Sequence, residues 1–226
     1  MSIKIENVAL PSPAQMEAVI RGMRNPMNSW TNSDSFATYI EDPETLNTAD
    51  FEYFLGEADE TLMRKLANAG EPHRKYMRMM PVYLDITAPL YWWKEFDTYK
   101  VGTVANSCST MHKIAAKEFT LDDFSCEHLE GPWLNQLKET IKLLNEARES
   151  FNWGIESVHN AKTYWWQMIQ LLPSSYNQKR TVMLNYEVLA NIYYYRKNHK
   201  LDCWQEFCKW IETLPYSYLI TAGGVE

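Results

Sequence analysis

Two stretches of this 226-residue sequence gather the side chains that could do chemistry. The first, KVGTVANSCSTMHK at 100–113, sets Asn106, Ser107, Cys108, Ser109, Thr110 and His112 nearly in a row, with Lys100 leading them. Small side chains that both donate and accept hydrogen bonds suit a polar, planar ligand, and the same composition also makes an ordinary loop. The second stretch, LNYEVLANIYYYRKNHK at 184–200, places Asn185, Asn191 and Arg196 among Leu, Val, Ile and Tyr. Read as part of one long helix from about Ser175 to Tyr195, at about 100° per residue, it points Asn185 and Arg196 the same way about three turns apart. Asn191 then lies roughly a third of a turn away. An amide buried among apolar side chains costs free energy unless partnered, so these asparagines either bond a ligand or satisfy neighbouring backbone and water.

Other candidates carry less. Cys126 and His128 have no further ligands at metal spacing, so no metal site is expected. His159 and His199 read as solvated helix residues, and Cys203 and Cys208 as packing. The two YWW runs at 91–93 and 164–166 could stack on a ring, but aromatic clusters at helical spacing commonly build cores or subunit contacts.

The elements that must hold these residues begin with IKIENVAL, an alternating edge strand. Ser12 and Gln15 then offer a capping box with Pro13 at the first helical position, and Met16, Val19, Ile20 and Met23 make that helix's apolar stripe. A polar region from Asn25 to about Asp50 reads as a long loop with helical turns. Leu62, Met63 and Leu66 mark a second helix, ended by Gly70; YMRMMPVYLDI reads as a strand interrupted at Pro81, and TAPLYWWKEF as a short buried helix. Beyond a linker, Leu134, Leu137, Ile141 and Leu144 space out an amphipathic helix ending near Phe151. Another runs from about Ser157 to Leu171. The final helix begins at Asp202, boxed by Gln205, with Trp204, Phe207, Trp210 and Ile211 inward. The expected class is α+β: a single domain over 1–226, dominated by helices, with a small, mainly antiparallel sheet.

Composition narrows the function. A formal net charge of −7 argues against wrapping a nucleic-acid polymer, which requires clustered cations. Four cysteines without CxxC spacing fit reduced thiols in a cytoplasm. MSIKIENVAL lacks the basic-then-apolar run of a signal peptide, and no stretch approaches about 18 apolar residues, so no membrane association is expected.

The sequence resembles the flavin-dependent thymidylate synthases, the ThyX family. The family signature runs Arg-His-Arg, then Ser, Asn-Glu, one residue, Ser, one residue and Arg-Tyr; NSCSTMH matches its second half through Asn106 and Ser109. After a Leu-Pro turn, members carry two Asn residues ahead of an Arg, an order repeated by LLP, Asn185, Asn191 and Arg196. WQEF is similar to the helix that follows, and LANAGEPHRKYMRMMPVYLDITAPLYWW to the segment before the signature. The sequence departs elsewhere. FDTYK stands for Arg-His-Arg, Asn106-Ser107 for Asn-Glu, Met111 for the phosphate-binding Arg and His112 for the Tyr. Another Arg is lost before the Leu-Pro turn, and GEPHRKYM keeps only His73 of a Gly-His element.

That resemblance implies a ThyX-like fold and a homotetramer binding FAD and dUMP at sites shared between subunits. Reduced flavin would relay a one-carbon unit from methylenetetrahydrofolate, the folate partner, to uracil C5. Ser109 and Arg196 would be catalytic, the guanidinium stabilising electron density that develops on a ring oxygen. Asn106, Ser107 and Lys100 would join them around the substrate, with His73, Asn185 and Asn191 toward the flavin. Each lost charge-assisted phosphate bond is worth about 1.5–3 kcal/mol, and Lys100, Arg74, Lys113, Lys179 and Arg180 are the cations at hand to replace them. Two further readings are a noncatalytic homologue that binds a nucleotide or a partner, and a Cys108 thiolate that adds to pyrimidine C6.

Overall fold

Ser12 starts the first helix as the capping box predicts: its hydroxyl accepts from the Gln15 amide at 3.3 Å, and its own amide donates to Gln15 Oε1 at 2.8 Å. The computed structural model describes residues 3–40, 50–153 and 158–221. Strand β1 (Lys4–Ala9) leads into helix α1 (Pro13–Arg24), which buries Met16, Val19, Ile20 and Met23. Full burial of such side chains contributes roughly 1.5–3 kcal/mol each.

The polar region expected as a loop holds more structure than its composition suggests. Single 3-10 turns at Asn25–Met27 and Trp30–Asn32 precede strand β2 (Phe36–Ile40), paired antiparallel with β3 (Asp50–Phe54). In that register Phe36 faces Phe54, ring centroids 5.1 Å apart, so the hairpin rests on a cross-strand aromatic pair. The rest of the expected loop, 41–49, lies outside the described residues.

Helix α2 (Glu57–Asn68) follows, with Gly70 beyond its end at φ 92°, where a side chain would be strained. Its N-terminus is capped from outside: Asp34 Oδ2 accepts from the Ala58 amide at 2.8 Å and Oδ1 from the Asp59 amide at 3.1 Å. A Cβ on Gly56 would sit 2.2 Å from that carboxylate, so only glycine lets the cap close. Residues 75–79 form a 3-10 helix rather than a strand, and β4 (Pro81–Pro89) begins at the proline expected to interrupt it. A first strand position tolerates the missing N–H. Helix α3 (Leu90–Phe96) buries Trp92, Trp93 and Phe96.

Strand β5 (Val104–Ser107) and the short helix α4 (Thr110–Lys113) occupy the hydroxyl-rich stretch. Helices α5 (Gly131–Trp153) and α6 (Val158–Leu171) pack on each other; Leu137, Ile141 and Leu144 are buried with Met168. The expected start of α6 at Ser157 lies outside the described residues.

The expected helix over 175–195 is instead strand β6 (Asn177–Asn185) followed by helix α7 (Tyr186–Arg196). Gln178, Val182 and Leu184 turn inward at even positions, the two-residue period of a strand. Helix α8 (Asp202–Glu212) buries Trp204, Phe207 and Ile211, leaving Trp210 half-buried. Its expected capping box is absent, because Leu201 holds the cap position and Gln205 Nε2 donates to the His199 carbonyl at 2.8 Å. Helix α9 (Tyr218–Thr221) closes the described chain.

β1, β4, β6 and β5 line up in that order as one sheet, with β1 at the edge as expected. The class is α+β, helix-dominated with a small antiparallel sheet. By contacts the chain divides into two compact units. The first comprises Met1–Ile5, Asp85–Thr98 and Asn106–Thr181; the second comprises Glu6–Leu84, Tyr99–Ala105 and Val182–Glu226.

Candidate functional site

In the first unit, β6 pins the hydroxyl-rich segment from both sides of one residue. The Cys108 amide donates to the Lys179 carbonyl at 2.9 Å, and its carbonyl accepts from Gln178 Nε2 at 3.0 Å. Directly after this clamp Ser109 turns out of the strand and caps α4, its hydroxyl accepting from the His112 amide at 3.1 Å. Trp165 of α6 donates its indole N–H to the Met111 carbonyl at 2.9 Å, so one ring of the second YWW run holds the far end of the segment. Asn106, Ser107, Cys108, Ser109 and His112 are all exposed. An array of small donors and acceptors therefore faces outward from a backbone that is fixed.

The second unit holds the remaining expected residues along α7. Asn185 is its N-cap, not a member of the helix: Oδ1 accepts from the Val188 amide at 3.0 Å. The shared helical face expected for Asn185 and Arg196 therefore does not exist. They stand at opposite ends of α7, and the turn carrying Lys100 reaches both. Tyr99 accepts at its hydroxyl from Arg196 Nε at 3.0 Å, and the guanidinium lies 4.8 Å from the centroid of the Trp204 ring. Gly102, at φ 80°, lies against the other end; a Cβ there would come within 2.8 Å of Asn185 Nδ2. Both the left-handed backbone and the close approach require glycine. The Thr103 hydroxyl in this turn is buried without a hydrogen-bond partner.

Asn191 is engaged by a residue far away in sequence. Arg74 Nη2 donates to Asn191 Oδ1 at 3.1 Å, and Arg74 Nε lies 2.9 Å from Glu187 Oε2. The carboxyl of Glu187 is pushed up by burial, against the opposing pull of Arg74. His73, adjacent to Arg74, is exposed in a turn whose backbone is anchored by its amide donating to the Gly70 carbonyl at 3.0 Å.

The cations at hand for a phosphate are mostly committed. Arg74 pairs with Glu187, Lys179 with Asp85 at 3.0 Å, and Arg180 with Asp97 at 2.7 Å. Lys100 and Lys113 are exposed. Two cavities in the second unit lie elsewhere: an open groove of about 650 Å3 beside Arg24, Asp34 and Lys65, and one of about 240 Å3 among Tyr53, Tyr186 and Tyr216. None of the expected site residues lines either cavity. No disulfide joins the four cysteines; Cys108 is exposed, and Cys203 and Cys208 are buried. Among the described residues no group of His, Cys, Asp and Glu could hold a metal, and no helix is long and apolar enough to cross a membrane.

No protein-family model matches the sequence, and no curated protein is significantly similar to it. Solved structures are similar along almost its whole length. ThyX from Helicobacter pylori, complexed with FAD and dUMP, superposes with a TM-score of 0.61 at 16% identity, covering 98% of this chain and 99% of that one. A second ThyX structure from that organism, also with FAD and dUMP, gives 0.63 at 14% identity over 98% and 97%. The chain has the ThyX fold. A UMP/dUMP methylase, PolB from Streptomyces cacaoi, bound with 5-Br dUMP, shares it at a TM-score of 0.58 and 14% identity over 99% and 97% of the two chains. On this ThyX fold, the braces are Gln178, Arg180, Tyr99 and the Arg74–Glu187 pair; the sequence pointed to Arg74 and Arg180 only as cations for a phosphate, and to Gln178, Tyr99 and Glu187 not at all. Glu187 had a local signal, an acidic residue in the first turn after an Asn cap. Arg74, 113 residues away from it, had none.

Proposed function

We propose that the protein is a ThyX-like flavoenzyme acting on a uracil nucleotide, dUMP, by reductive methylation or a related one-carbon modification at C5. The observation carrying this reading is the fold shared end to end with proteins solved with FAD and dUMP or with 5-Br dUMP. In it, Asn106, Ser107 and Ser109 hydrogen-bond the pyrimidine nucleotide, and Lys100 supplies charge toward its phosphate. Arg196 stabilises electron density on a ring oxygen as C6 is attacked, a contribution of about 10²–10³ in kcat for one such donor.

Asn191 keeps its amide N–H groups while its oxygen is taken, His73 offers an exposed ring, and Thr103 holds a buried, unpartnered hydroxyl. These donors suit the carbonyl and ring-nitrogen edge of an isoalloxazine, and Asn185 supports them by fixing the start of α7. When bound, FAD supplies the electrons and a methylenetetrahydrofolate the carbon. The proposal includes a cytoplasmic homotetramer that completes its sites between subunits. Protein reconstituted with FAD, reductant and folate should release tritium from dUMP labelled at C5; flavin and dUMP binding without release would reject the catalytic reading.

A second reading, a noncatalytic ThyX-fold protein that binds a nucleotide or a protein partner, is favoured by the commitment of Arg74, Lys179 and Arg180 to carboxylates. It predicts that dUMP raises the melting temperature although no tritium is released.

A further inference from the structure

Gln178 is buried, with 8% of its surface exposed, and both ends of its amide are used. Nε2 donates to the Cys108 carbonyl at 3.0 Å, while Oε1 accepts from Arg180 Nε at 3.0 Å. Only one orientation of the amide satisfies both partners, because a guanidinium only donates and a carbonyl only accepts. Arg180 is itself held twice: Nη1 donates to Asp97 Oδ1 at 2.7 Å, and the guanidinium lies 4.2 Å from the centroid of the Trp93 ring. Trp93 in turn donates its indole N–H to the Gln178 carbonyl at 2.9 Å. The side chains form a continuous brace from α3 through β6 to the backbone one residue before Ser109.

We propose that Gln178, locked by Arg180, Asp97 and Trp93, is the positioning residue that sets the Asn106–Ser109 segment for its ligand. This rests on the uracil-nucleotide reading of that segment. β5 is a strand of four exposed residues, so its own side-chain packing does little to fix it. The ladder to β6 sets its register, and the Cys108 clamp holds its far end ahead of Ser109. Arg180, one of the cations at hand for a phosphate, acts through Gln178 instead.

Gln178→Glu isolates the proposed link: it still accepts from Arg180 but no longer donates to Cys108. Gln178→Leu removes both bonds and serves as the second variant. Hydrogen exchange across 104–113 and dUMP titration are measured on the full chain reconstituted with FAD. For Gln178→Glu we expect about tenfold faster exchange confined to that segment, about tenfold weaker dUMP binding, and a KM that changes more than kcat. The unfolding midpoint should fall by a few degrees, with exchange outside the segment unchanged. Unchanged exchange in both variants overturns the brace. Faster exchange with unchanged dUMP affinity overturns its role in binding. If the wild-type protein binds no dUMP, the uracil-nucleotide reading fails and the role in binding with it, while local exchange in the variants still decides the brace.

Discussion

Arg74 Nε and Glu187 Oε2 lie 2.9 Å apart with 4% and 5% of their side chains exposed, tying the turn that carries His73 to the first turn of α7. Removing one partner of such a pair leaves a buried charge, so Arg74→Ala should cost about 3–5 kcal/mol, whereas Arg74→Met with Glu187→Leu should recover most of the loss. Burial raises the Glu187 carboxyl and Arg74 opposes it. An acid whose folded pKa is raised favours folding below its unfolded value, about 4.3, and loses that contribution as pH rises through the folded one. Arg74→Ala removes the opposing pull, so its destabilisation should be larger at neutral than at acid pH in urea denaturation.

Asp59 behaves in the opposite sense. Burial pushes its carboxyl up, but hydrogen bonds from Ser35 and Ser33, with Arg24 at 2.5 Å, hold it below the usual carboxylate range. Its contribution is present above the unfolded value of about 3.9 and lost as pH falls through the lower folded value. Asp59→Asn should cost roughly 3–5 kcal/mol at neutral pH, the difference from wild type shrinking in strong acid. Denaturation curves taken across that range give the comparison.

The N-cap of α7 separates two roles for Asn185. Asn185→Asp keeps an oxygen for the Val188 amide but sets its second oxygen against the Gly102 carbonyl, to which the Asn amide donates at 3.5 Å, so it should keep the cap and lose the contact to Gly102, while loss of the cap in Asn185→Ala should cost about 0.5–2 kcal/mol. Under the proposed function Asn185→Ala also weakens flavin retention, read by gel filtration of the reconstituted variant.

Tyr99 aims Arg196. Tyr99→Phe keeps the ring but removes the hydroxyl that accepts from Arg196 Nε. It should lower C5 tritium release about tenfold, against about 10²–10³ for Arg196→Ala, with little effect of either on the unfolding midpoint. Equal turnover in the Tyr99 variant and wild type would count against the aiming role.

Elements written locally were legible. The Ser12–Gln15 box and the 3.6-residue spacing of Met16, Val19, Ile20 and Met23 specify α1 almost completely, and Trp92 and Trp93 announced a buried helix. β6 was not legible, because Leu184, Val188 and Ile192 fall four residues apart, a helical spacing that hides the change of period at Asn185. The signal at that point was a capping side chain ahead of Glu187. In the candidate site, residue types and order pointed to Ser109, Asn185 and Arg196. The contacts that hold them, such as Gln178 to Cys108 across 70 residues, arise from strand pairing that no local pattern encodes.

The most direct test of the account is the absorption spectrum of the purified protein after incubation with FAD and gel filtration, recorded before and after dUMP is added. The account predicts retained flavin colour, a dUMP-induced change in the flavin band, and loss of that change in Arg196→Ala. A folded protein that emerges colourless and gives no response to dUMP would contradict it.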